Sequence, residues 1–148
     1  MATQHTPRSP TTRQFYGFGR LSDTHPILGL VKDIITWFDA QAPEALFLSV
    51  VTIGEIRQGI EQLRHRDTRQ AQILNGWLLD LTRLYSDRVL AIDAAVADEW
   101  GRLRAIRSVP VVDAFLAATA RVHGLTLVTR NERDFAGLGV TTVNPSRS

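Results

Sequence analysis

Apolar positions along the chain fall into blocks that alternate between two periods. From Ile27 to Phe38 they stand at 27, 28, 30, 31, 34, 35, 37 and 38, the spacing of a buried helix that Ala42-Pro43 would close. Leu46 to Val51 (LFLSVV) is a short continuous apolar run, as expected of a strand covered on both faces. Thr52 then opens a helix to about Arg64, and Asp67 caps a second over 68–85 with Ile73, Leu74, Trp77, Leu78, Leu81 and Leu84 on its apolar face. Val89 to Ile92 predicts another strand. Asp93 caps a helix to about Ile106 that turns Val96, Trp100 and Leu103 inward. Pro110 to His123 is a nearly all-apolar helix that Gly124 ends as a left-handed cap. Leu125 to Thr129 and Val140 to Val143 complete the set of strands.

Strands that alternate with helices predict an α/β fold: a mostly parallel central sheet between two helical layers. The first 25 residues fit less well. Residues 1–14 carry two prolines and four threonines and read as a disordered leader, while 15–25 (FYGFGRLSDTH) are broken by glycine and match neither period.

Length and composition narrow the class. A chain of 148 residues is one domain, large enough to fold without staples. It contains no cysteine, which excludes disulfides, zinc–thiolate sites and a thiol nucleophile. The sequence has no apolar run of about 18 residues, so no membrane span is expected, and no signal peptide is visible; a cytoplasmic location is the expectation. Of the 17 cationic residues only Lys32 is lysine. Arginine forks onto phosphate and stacks on bases, which suits nucleic acid, although genomic base composition gives the same bias.

The candidate chemistry follows from strand order. In open α/β sheets ligands bind beyond the carboxyl ends of the strands. Glu55 follows the LFLSVV run, Asp93 follows VLAI, and Arg130, Asn131 and Asp134 follow LTLVT; Asp113 opens the helix that leads into LTLVT. Acids with no cysteine and no clustered histidine make a hard oxygen site suited to Mg2+ or Mn2+. Each acid also has a structural explanation. Thr52-x-x-Glu55 reads as a capping box, Asp93 as an N-cap, Asp113 as a dipole partner at a helix N-terminus, and Asn131 with Asp134 as loop-shaping residues. Asp113 leans towards function, since a carboxylate between VPVV and AFLAATA is costly unless paired or metal-bound.

Three tracts together resemble the motifs of PIN-domain proteins of the VapC toxin type. Leu48 to Ile60 (LSVVTIGEIRQGI) resembles the second acidic motif, and Pro110 to Ala120 (PVVDAFLAATA) the third. Gly124 to Asn131 with Asp134-Phe135, Gly139-Val140 and Asn144-Pro145 resembles the last motif and the close of the chain. The resemblance spans roughly residues 37–145 and implies a three-layer α/β/α PIN-like domain over 15–148. It also implies a magnesium-dependent endoribonuclease, the toxin of a type II toxin–antitoxin pair. By position Glu55 and Asp113 would be metal-site acids, the last acid would fall at Asn131 or Asp134, and Thr129 would position phosphate or water. Asp23, in Asp23-Thr24-His25, would be the first acid. The tract before it departs from the family's apolar first strand, because glycines weaken a central strand. Residues 15–36 are therefore atypical, and a catalytically impaired remnant that only binds antitoxin or RNA is the rival reading. The implied partners are RNA, a small VapB-type antitoxin and a second copy of the chain. A flavodoxin-like domain is disfavoured, for want of an apolar first strand with an aspartate or a phosphate loop.

Overall fold

The computed structural model describes residues 14–16 and 46–144. Five short strands make one parallel sheet among these residues: β1 (Gln14–Tyr16), β2 (Leu46–Ser49), β3 (Val89–Leu90), β4 (Thr126–Val128) and β5 (Thr142–Val143), in the order β3-β2-β1-β4-β5. Four helices accompany them: α1 (Val50–Arg64), α2 (Thr68–Leu84), α3 (Ala94–Ile106) and α4 (Val111–His123). A 3-10 turn, Glu132–Phe135, lies between β4 and β5.

Side chains of β2 and β4 alternate between two cores. Leu46, Leu48 and Val128 join Ile56 and Ile60 of α1 and Leu74, Leu78 and Leu81 of α2 on one face. Leu127 joins Val96 and Leu103 of α3 and Leu116 and Ala117 of α4 on the other, with Phe47 packed against them. This period of two, buried on both sides, is why the strands read as continuous apolar runs. The three-layer α/β/α expectation therefore holds.

The start of the chain departs from expectation. Gln14 opens β1 instead of closing the leader, and β1 occupies the central position, paired in parallel with β2 through Gln14↔Leu46 and with β4 through Gln14↔Thr126. The glycine-broken tract does contribute to a central strand, through Phe15 and Tyr16 ahead of Gly17. Pairing on both edges can hold a segment whose intrinsic pattern is weak. The helix expected over Ile27 to Phe38, Trp37 within it, and Asp23 lie outside the described residues.

Helix boundaries sharpen two readings. Asp67 and Asp93 cap α2 and α3, accepting from the backbone N–H of Gln70 (3.1 Å) and Val96 (3.0 Å). Gly124 ends α4 in the left-handed region at φ 62°, where a side chain would be strained. On α2 the buried stripe is Ala71, Leu74, Leu78 and Leu81, whereas Ile73 and Leu84, expected inward, are 57% and 65% exposed. At 100° per residue both lie on one flank of that stripe, outside the arc it spans.

Candidate active site

The strand order reverses at β1, so β2 and β4 run outward from it with their carboxyl ends on one rim. Such a switch point opens a crevice at that rim. Two helices bring acids to it. α1 leaves β2 directly and carries Glu55 in its second turn. α4 leads into β4, so its first turn, which holds Asp113, sits at the same rim.

Glu55 is not a cap. The helix begins at Val50, two residues before the expected Thr52, and its N-cap is Ser49, whose Oγ accepts from the Val51 N–H at 3.0 Å. A capping-box acid must stand three residues after the cap, and Thr52 occupies that place. Glu55 instead turns into the interior, and its Oε1 is buried with no hydrogen-bond partner. Its carboxyl is pushed up to about 7, first by burial and second by the Asp113 carboxylate. The two acids therefore share one desolvated site, where each ionised carboxylate disfavours the other. Asp113 itself is only 1% exposed, at the positive end of α4.

Thr129, just past β4, is buried at 1% exposure. Its Oγ1 accepts from the Asn131 N–H at 3.1 Å and so bends the chain into the 3-10 turn. Asn131 and Asp134 are exposed on that turn. Among the described residues no three of the Asp, Glu and His side chains stand close enough to hold one metal ion, so Asp134 is not gathered with Glu55 and Asp113.

The donors fit a hard divalent cation in part. Two carboxylates that repel each other, with a buried, unsatisfied oxygen on Glu55, match a cation that binds through one or two carboxylates and takes its other ligands from water and phosphate.

The sequence profile of the PIN domain matches residues 23–140. The chain belongs to the PIN-domain family. Ribonuclease VapC4 of Mycobacterium tuberculosis is 32% identical over 125 residues, covering 80% of this chain and 89% of VapC4. The crystal structure of FitAcB from Neisseria gonorrhoeae superposes with a TM-score of 0.70 at 27% identity, covering 79% of this chain and 87% of the other. A toxin–antitoxin complex from Klebsiella pneumoniae matches with a TM-score of 0.58 at 25% identity, over 89% of this chain and 97% of its own. Among the described residues no helix is long and apolar enough to cross a membrane.

Within this PIN domain the acids separate by environment. Asp67 and Asp93 are spent on helix caps, and Glu61 on ion pairs with Arg57 and Arg64. Asp113, buried, and Glu55, half-buried, are the acids at the rim. One residue had no sequence signal: Arg107, at the end of α3, donates to the backbone carbonyls of Asp134 (2.8 Å) and Ala136 (2.9 Å). Bonds to a backbone so far along the chain leave no mark on local pattern.

Proposed function

We propose that this PIN-domain chain is a metal-dependent endoribonuclease, the toxin of a type II toxin–antitoxin pair, which hydrolyses RNA phosphodiester bonds at a site built on Glu55 and Asp113. The observation that carries the reading is the Glu55–Asp113 pair: two acids from different helical layers, Asp113 buried and Glu55 half-buried with one oxygen sealed from solvent, at the rim where strand order reverses. A structural role does not explain a Glu55 oxygen that is buried and unpartnered.

Glu55 and Asp113 would hold Mg2+ or Mn2+, with Asp23, at the first residue of the family match, as the further acid. When bound, the cation supplies charge neutralisation at the scissile phosphate and a more acidic water. The protein's own part is to keep the pair desolvated, which strengthens its attraction for a cation, and to hold Asp113 at a helix N-terminus. Thr129 sets the path of the chain from β4 into the turn, and with it where Asn131 and Asp134 meet substrate. Similarity to VapC4 and to a solved toxin–antitoxin complex supports a ribonuclease neutralised by a small VapB-type antitoxin. A homodimer is the expected assembly.

The rival reading, a PIN domain that binds antitoxin or RNA without cutting, is favoured by one observation: the described residues gather two acids rather than three. Purified chain with Mg2+ or Mn2+ and a panel of structured RNAs separates the two. The nuclease reading expects cleavage that Glu55→Gln and Asp113→Asn each lower by at least about 100-fold while the fold persists. Unchanged cleavage in either variant sinks the site assignment, and a wild-type chain that cuts nothing leaves the binding module.

A further inference from the structure

We propose that Arg107 is a positioning residue for this site, locking the turn that carries Asn131 and Asp134 onto the segment that leads into Asp113. The proposal rests on the nuclease reading above and adds to it a residue that binds the backbone of the turn and no carboxylate.

Arg107 is where α3 ends, its backbone extended at φ −158° and ψ 171°. Its guanidinium does not seek a carboxylate. One terminal nitrogen donates to the carbonyls of Asp134 and Ala136, at 2.8 and 2.9 Å, and the other to the carbonyl of Ser108 at 3.3 Å. The Asp134 side chain itself stays exposed. So the cation grips the backbone of the turn and leaves its acid available. Guanidinium bonds to carbonyls are charge-assisted and directional, hence stronger than the neutral backbone bonds of this turn.

Other anchors of the same turn come from the opposite side. Thr142 Oγ1 donates to Glu132 Oε1 at 3.1 Å, and Asn144 Nδ2 reaches the Arg130 carbonyl at 3.5 Å, both from β5 or just past it. Arg107 is the tie from the α3–α4 connection, and its segment runs through Val109 and the Pro110 N-cap to Asp113 in the first turn of α4. It therefore sets the distance between the rim acid Asp113 and the exposed turn. A displacement of about 1 Å in a group that orients substrate can lower a rate on the order of 100-fold.

The test compares wild type, Arg107→Ala and Arg107→Lys by amide hydrogen exchange and by RNA cleavage with Mn2+. A lysine ammonium can restore the two turn bonds, whereas alanine restores none. Arg107→Ala should speed exchange of the Asp134, Ala136 and Leu138 amides, which close the turn, by about tenfold or more, with the β2 and β4 amides unchanged. It should lower kcat by about tenfold with KM within about threefold, and Arg107→Lys should recover most of both effects. Unchanged exchange in the turn overturns the lock. Faster exchange with unchanged cleavage overturns the role in positioning, and a loss confined to KM assigns Arg107 to RNA binding instead. A wild-type chain that cuts no RNA sinks the nuclease reading, and with it any positioning role, while the exchange measurement still decides whether Arg107 holds the turn.

Discussion

Glu55 and Asp113 approach each other from opposite layers of the domain, Glu55 on α1 over one face of the sheet and Asp113 on α4 over the other, and the Asp113 carboxylate adds to the cost of charging Glu55. The two faces meet only at the rim beyond the strands. The site thus depends on the packing of both layers, and several measurements can probe it.

The first concerns pH. Glu55 holds its proton up to about 7 in the folded chain, against 4.5 ordinarily. Between those values the native state keeps a proton that the unfolded state has released, so stability falls as pH rises from about 4.5 to about 7. Glu55→Gln removes this titration. In metal-free buffer the variant should melt a few degrees above wild type near neutral pH, and the gap should close towards pH 4.5. A variant that melts lower than wild type at pH 7 would contradict the placement of Glu55.

Cation binding should release protons. At pH 7 Glu55 is about half protonated, so filling a site that needs its carboxylate expels about half a proton. Calorimetry with Mn2+ in two buffers of different ionisation enthalpy measures that number directly. Affinity should also tighten as pH rises, and Glu55→Gln should abolish the proton release.

Ser49 makes the cap that the sequence pattern assigns to Thr52. Ser49→Ala should cost about 1 kcal/mol of stability, the usual loss for an N-cap hydroxyl. Chemical denaturation reads this as a lower midpoint with an unchanged slope.

Gly139 is held at φ 68°, and a Cβ there would collide with the Arg121 guanidinium. That guanidinium pairs with Glu99 at 2.7 Å and donates to the Leu138 and Gly139 carbonyls, tying α3, α4 and the approach to β5 together. Gly139→Ala therefore combines backbone strain with displacement of a linked cation, and should cost about 2 kcal/mol or more. Thermal melts should show it, while Gly137→Ala, which meets open space, should lose only the backbone part.

Most of the architecture is legible in the alternation of apolar runs: the layers, the caps at Asp67, Asp93 and Gly124, and the tract carrying Asp113. Local rules suffice there because periodicity and capping act within a few residues. The same rules misplaced the start of α1, because Ser49 lies in an apolar run that reads as strand up to Val51. They also gave no hint that QFY would sit at the sheet's centre, since three residues carry no usable period.

For the site, the sequence by itself determined which acids exist and that a buried aspartate in an alanine-rich helix needs a reason. Only the tertiary structure decided which of them meet. It spent Asp67 and Asp93 on caps, left Asp134 exposed on a turn held by Arg107, and desolvated Glu55 beside Asp113. Repulsion and desolvation depend on distance and burial, which are set by how two helical layers close over one edge of a sheet and not by spacing along the chain.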